Sequence, residues 1–413
     1  MKFAHIADCH LGSWRQPQMA FLNLKAFESV IERCISEKVD FVIIVGDFFD
    51  TAIPSIEVMR VAASNLRRLK ENGIACFIIP GSHDYSISGK SMISVFDEGG
   101  LCIDLTQKEI IYKKVFLYGI AGKKGGMEQR QLLENKEDFR RLTDRIASLK
   151  KENKIESSVL LLHTTVNELL PGTLSNHAPS LSIADLPEGF DYYALGHIHA
   201  SKILNKGKAA VAYPGPVFPS NFSELEQQHE ASFLIIETEN GSITERDITK
   251  VSFSFGKVIN FEINANGETP LSLKEKISEK ISSKDLKDAI VTLRIYGILK
   301  EGKVSEIDFG KLDEEANSSG VKCLLRNTSQ LSSKEFEINA DDIEFKNIEE
   351  IEQTTLKKAV KEGIITEEDI KSFFILAKIF NVEKLEGETT STFESRIVKE
   401  AIKELNLEEI WNR

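Results

Sequence analysis

The chain has 413 residues, 41% of them apolar and 28% charged, with a formal net charge of −12 at pH 7. That length exceeds one ordinary domain, and that composition excludes disordered, collagen-like and disulfide-scaffold classes, so two or three folded units are expected. The acidic balance argues against a grip on nucleic acid by bulk charge alone, although metal ions or a local basic patch can still meet phosphates.

In chain order, residues 1–255 alternate short apolar runs with segments of helical spacing. The runs 3–7, 41–45, 75–79, 115–120, 159–162 and 192–195 predict buried strands. Between the first two, Phe21, Leu24, Phe27, Ile31 and Ile35 recur at helical intervals over 19–38. A second helix is predicted over 57–72, stopped at Asn72-Gly73. This alternation predicts a layered α/β domain. Over 256–340, strands at 257–265 and 289–296 with an amphipathic helix at 271–281 between them predict a small α+β module. Residues 347–413 are charged and helical in pattern. Thr366-Glu-Glu-Asp369 reads as a capping box opening a helix with Phe373, Phe374, Leu376 and Ala377. A last helix places Phe393, Ile397, Ala401 and Leu405 on one stripe, either a partner-docking face or an intramolecular packing face.

Cys9, Cys34, Cys76, Cys102 and Cys323 are odd in number and contain no C-x-x-C pair, which suits small buried thiols in a reducing compartment. No window approaches eighteen uninterrupted apolar residues, and His5, Asp8 and His10 stand where a signal peptide would need an apolar stretch. A cytoplasmic protein with no membrane association is expected.

The chemistry is concentrated at the carboxyl end of each run. The first ends in Ala7-Asp8-Cys9-His10, the second in Gly46-Asp47, the third in Pro80-Gly81-Ser82-His83-Asp84, a later one in His163, and another in Gly196-His197-Ile198-His199. Five of the eight histidines thus stand just past strand ends. Carboxyl ends of strands form the ligand crevice of α/β sheets, so these side chains can converge, and convergent imidazoles and carboxylates make a metal site. Period-two spacing puts Asp8 with His10, and His197 with His199, on one face of an extended backbone. Gly46, Gly81 and Gly196 permit tight turns at the strand ends.

These segments, in this order, resemble the calcineurin-like metallophosphoesterases, whose pattern runs D-x-H, G-D, G-N-H-[DE], H, G-H-x-H. Within that family, residues 3–12, 46–51 and 193–199 look most like the Mre-eleven/SbcD DNA-repair nucleases. The resemblance covers about residues 1–250. It implies a β-sandwich flanked by helices, with two metal ions, usually Mn²⁺. Asp8, His10, Asp47 and His199 would hold one ion, and Asp47, residue 82, His163 and His197 the other, with Asp47 bridging. Such a pair can clamp the attacking and leaving oxygens of a displacement at phosphorus, with His83 as general acid. The family's asparagine ligand is Ser82 here, a shorter and poorer donor, so a weakened second site is expected. Asp50 either caps the following helix or acts near the metals.

Substrate is less directly written. Gly46-Asp47 lacks the following Arg-Gly pair usual in protein phosphatases of this fold. Arg67, Arg68 and Lys70, and the loop Lys123-Lys124-Gly125-Gly126, are the basic candidates for DNA. The resemblance implies a double-strand exonuclease and single-strand endonuclease in break repair. It further implies a homodimer through core helices, a capping domain at 256–340, and C-terminal helices at 347–413 that dock a Rad-fifty/SbcC-type coiled-coil ABC ATPase. Two alternatives stand beside it: a phosphoesterase acting on nucleotides or small diesters, and a DNA-end-binding scaffold whose catalysis Ser82 has weakened.

Overall fold

The computed structural model describes residues 1–334 apart from 87–88, 124–125, 171–179, 228–229, 240 and 283–284, together with Thr366 and residues 390–404. The chain divides into two compact units, Met1–Lys334 and Glu335–Arg413.

In the first unit, two six-stranded sheets lie face to face. One runs in the order β12 (Ile248–Phe253), β11 (Ala231–Glu237), β1 (Lys2–Ile6), β2 (Phe41–Val45), β3 (Ala75–Ile79), β4 (Ile103–Asp104). Its strands β1 to β4 are parallel, and β11 and β12 are antiparallel additions at one edge. The other runs β5 (Glu109–Tyr112), β6 (Val115–Ile120), β7 (Ser157–His163), β8 (Tyr192–Gly196), β10 (Ala209–Pro214), β9 (Ser201–Lys206), parallel except for its two edge strands.

Alternate residues of each strand serve alternate faces. Phe3, Phe41, Ile43, Val45 and Phe77 meet Leu117, Val159, Leu161, Tyr192 and Ala212 between the sheets. The opposite set, Ala4, Val42, Ile44 and Ile78, packs under α1 (Pro17–Ser36), α2 (Ile56–Glu71) and α3 (Ile93–Glu98). On the far side, Leu160, Leu162 and Tyr193 meet Phe139, Leu142, Ile146 and Leu149 of α5 (Lys136–Lys151), which follows α4 (Met127–Glu134). Burial on both faces is why these strands read as unbroken apolar runs rather than alternating ones. The result is the expected layered sandwich flanked by helices. The predicted strands 41–45, 75–79 and 115–120 match in both bounds, and the others shift by one or two residues, within the usual fraying of element ends. All five cysteines are buried and free.

After the sandwich, β13 (Val258–Asn264), α7 (Pro270–Ser282), β14 (Ile290–Leu299), α8 (Phe309–Ser318) and β15 (Cys323–Ser333) form a third sheet of three strands with its own core. All three strands are parallel and linked by helical crossovers, a β-α-β-α-β unit that the composition alone does not distinguish from an α+β module. Leu273, Ile277 and Ile281 are the buried stripe of α7.

In the second unit, α9 (Thr390–Glu404) carries Ile397 buried and Phe393 and Ala401 half-buried. Leu405 and the helix predicted after Thr366 lie outside the described residues. Among the described residues no helix is long and apolar enough to cross a membrane.

Candidate metal centre

β1, β2 and β3 of one sheet and β7 and β8 of the other all direct their carboxyl ends to one rim of the sandwich. The turns leaving those strands are stitched together there. The Asp8 amide donates to the Gly46 carbonyl (3.2 Å), His10 to Asp47 (2.9 Å), Gly46 to Ile79 (3.0 Å) and Thr164 to Gly196 (3.2 Å). Crowding explains the glycines. A Cβ on Gly46, whose φ is +78°, would lie 2.0 Å from His163 Nδ1, and one on Gly196 would lie 1.9 Å from the Val45 carbonyl oxygen. Only glycine lets the two sheets approach so closely at the rim.

Asp8, His10 and His199 gather in one group, and Asp47, His163 and His197 in another, with the potential ligand atoms of each group within 4.8 Å of one another. Asp47 lies between the groups, its Oδ2 3.1 Å from His163 Nε2 and 3.8 Å from His10 Nε2. Asp8, His10, Asp47 and His163 are almost fully buried, whereas His197 and His83 are exposed at the mouth.

Three of the imidazoles are oriented alike. His10 Nδ1 pairs with Asp50 Oδ1 (3.2 Å), His163 Nδ1 with the Val45 carbonyl (3.0 Å) and His199 Nδ1 with Glu224 Oε1 (2.9 Å). Each acceptor holds a proton on Nδ1, so Nε2 is the nitrogen that points inward and offers a lone pair once its own proton is displaced. The Nε2 atoms of His10 and His199 face one another at 3.1 Å. Such a set of inward lone pairs beside two buried carboxylates fits divalent cations bound by oxygen and imidazole, not by thiolate.

The electrostatics agree. Burial drives imidazoles toward neutrality, yet the Asp47 carboxylate beside His163, with Asp8 near by, raises that side chain to about 10. His199, also opposed by burial, is raised to about 9 by Glu224 and Asp8. Burial alone would raise Asp47, but the His163 and His10 rings hold it well below the usual carboxylate range. Asp8, dominated by burial, moves upward instead. The cluster therefore attracts positive charge, whether protons or metal.

The remaining residues take different places. His83 donates its amide to Asp47 Oδ1 (2.8 Å), and its Nδ1 lies 2.8 Å from the Asp50 carbonyl, so Nε2 is the ring atom available at the mouth. Ser82 is half-buried in the same turn. Asp50 touches His10 and does not cap α2, which Ser55 caps by accepting from the Val58 amide, so the helix-cap alternative for Asp50 is set aside. His10, Asp50 and His83 form a further group of metal-competent side chains.

The shared faces expected of Asp8 with His10 and of His197 with His199 do not come from extended backbone. Asp8 and His10 do not share a face by extended pairing, because their φ angles are +51° and +40°; Asp47 (+45°) and His197 (+100°) are likewise left-handed. Turns, not strand periodicity, aim these side chains, and non-glycine residues held in that region mark sites where surrounding structure over-determines the backbone. Glu224 escapes the sequence reading altogether. It lies in α6 (Phe222–Gln227), and its only local signal is an Asn221-x-x-Glu224 cap pattern. Of the basic candidates, Arg67 pairs with Glu71 and Arg68 with Glu32, while Lys124 and Gly125 lie outside the described residues.

Residues 1–201 match the family described as calcineurin-like phosphoesterase. The chain is 34% identical over 224 residues to the DNA double-strand break repair protein Mre11 of Archaeoglobus fulgidus, covering 52% of this chain and 50% of that one. It is 34% identical over 210 residues to the Mre11 of Sulfurisphaera tokodaii, covering 48% and 49%. An uncharacterized metallophosphoesterase, YhaO of Bacillus subtilis, is 27% identical over 59% of each chain. A solved dimetal phosphatase from Danio rerio aligns with 62% of this chain and 99% of its own at 11% identity and a TM-score of 0.38, which adds nothing to the assignment. The chain spans about half the length of the first two of these relatives. The metal-competent rim stands at the ends of strands inside the matched residues, so residues 1–201 form a calcineurin-like phosphoesterase domain, and over about half of its length the chain is similar to Mre11 proteins.

Proposed function

We propose that the chain is a Mn²⁺-dependent DNA nuclease of break repair, cutting duplex ends as an exonuclease and single strands as an endonuclease. The observation that carries this reading is the gathering of four imidazoles and two carboxylates at one rim, within the residues similar to Mre11 proteins. Asp8, His10, Asp47 and His199 would hold one ion, and Asp47, Ser82, His163 and His197 would hold the other. When bound, the ions supply Lewis acidity and an activated water for displacement at phosphorus. The chain's own residues do the rest. Asp50, the Val45 carbonyl and Glu224 hold three rings with Nε2 inward. His83, exposed at the mouth with Nδ1 occupied by the Asp50 carbonyl, gives a proton from Nε2 to the departing oxygen.

In this reading residues 1–255 are the nuclease domain, 256–340 a capping domain over DNA, and 347–413 the helices that dock a Rad-fifty/SbcC-type ATPase. The working form is a homodimer. Substrate class is tested by offering an end-labelled DNA duplex and a chromogenic phosphodiester in parallel with Mn²⁺. Degradation of the duplex is expected, with loss of roughly 100-fold in His83→Ala, the scale of a general acid's contribution. Hydrolysis of the small diester with an intact duplex would instead establish a small-molecule phosphoesterase, and duplex binding without cleavage of either would establish an end-binding scaffold.

A further inference from the structure

The six residues of α6 touch two parts of the first unit at once. On one side Glu224 reaches His199 Nδ1 at 2.9 Å. The Glu224 carboxylate is itself fixed, accepting from the Ser220 amide (2.8 Å), the Ser220 hydroxyl (3.1 Å) and the Asn221 amide group (2.6 Å). On the other side α6 is gripped by the three-stranded module. Arg294 of β14 places Nε 3.1 Å from both Glu226 carboxylate oxygens and lays its guanidinium 5.3 Å from the Phe222 ring centroid. Asn260 of β13 donates to the Glu226 carbonyl (2.8 Å). The Asn260 side chain is held in turn by the Thr292 hydroxyl (2.8 Å).

We infer that Glu224 is a positioning residue for the metal centre and that the β13–β15 module sets its position through α6. This rests on reading His199 as a metal ligand. Glu224 acts through the ring, keeping the proton on Nδ1, raising the basicity of Nε2 and fixing the ring plane. A short helix has no independent stability, so its placement comes from what it packs against. Here that is Arg294 and Asn260. Packing alone would account for Arg294–Glu226, but it does not require a fixed carboxylate at the far side of the same turn to face a ligand ring.

The test is Mn²⁺ binding by calorimetry on the full chain, with urea unfolding of each metal-free variant as the folding control. Loss of an outer partner of a metal ligand typically costs roughly 10- to 100-fold in affinity. Glu224→Ala is expected to lose that much at one ion while keeping the wild-type urea midpoint. Glu224→Gln, which still accepts from Nδ1, should recover most of the loss, and it decides the matter if the alanine variant does not fold. Arg294→Ala, with Glu224 intact, should weaken the same ion several-fold, and Arg294→Lys less. Affinity within twofold of wild type in Glu224→Ala, or in Arg294→Ala, would overturn the inference. His199→Ala separates this from failure of the reading beneath it: if that variant binds Mn²⁺ like wild type, His199 is no ligand.

Discussion

His5 illustrates how burial without an opposite charge acts on one imidazole. It is fully buried, with Nδ1 2.8 Å from the Tyr192 hydroxyl and Nε2 3.1 Å from the Leu195 carbonyl. The carbonyl takes the Nε2 proton and the hydroxyl donates to Nδ1, so the neutral ring is satisfied at both nitrogens. Burial pushes its pKa down to about 3. Because the folded value lies below the unfolded one, this group's stability is fully present above about pH 6.5 and is lost as pH falls toward 3, at about 1.4 kcal/mol per pH unit. Between about pH 7.5 and 5.0, the unfolding free energy of the metal-free wild type should therefore fall by about 2 kcal/mol more than that of His5→Gln. Equal falls in urea titrations would show that His5 takes up its proton without unfolding. The contrast with His163 and His199 is the contrast between a core histidine and rings set against carboxylates. Sequence alone separates them only by place: His5 lies inside β1, the others at or past strand ends.

At the scale of elements, the rim exists because parallel strands end together and the turns leaving them fit against one another. Gly196 is the tightest point. An added Cβ there would meet the Val45 carbonyl, backbone of the opposing sheet, so relief requires the sheets to part. Gly196→Ala should cost about 3 kcal/mol, at the upper end of overpacking effects. Gly207→Ala, where φ is +61° but nothing lies within 4 Å, should cost only about 1 kcal/mol, the penalty of a left-handed residue. A Gly196→Ala penalty no larger than that of Gly207→Ala in urea unfolding would contradict the close approach. The strands that lead to the rim are legible in the sequence because burial on both faces leaves long apolar runs. The short β4, half-exposed β5 and partly exposed edge strand β9 carry no such run and stand outside the predicted elements. The run 233–236 inside β11, and α5 with Phe139, Leu142, Ile146 and Leu149 at helical spacing, are also outside them, although both carry the same signals as the elements that were predicted.

For the whole molecule, the sandwich converts sequence distance into proximity. Asp8 and His197, 189 positions apart, share a hydrogen bond because β1 and β8 belong to opposed sheets that end at one rim. That convergence is readable from the order of motifs, whereas the supporting layer is not. Glu224 reaches His199 only through the packing of α6, and its Asn221-x-x-Glu224 pattern marks a helix start without announcing that contact. The part of the site that departs from the family pattern is Ser82, whose hydroxyl is shorter than the expected amide and a poorer neutral ligand. In the proposed function the centre takes two unequal ions, and the most direct measurement is a Mn²⁺ titration of the metal-free chain followed by calorimetry, with Ser82→Asn beside the wild type. Two ions per chain are predicted, the second bound roughly tenfold more weakly, with Ser82→Asn tightening the second alone. A single ion, or two of equal affinity unchanged by Ser82→Asn, would contradict the account.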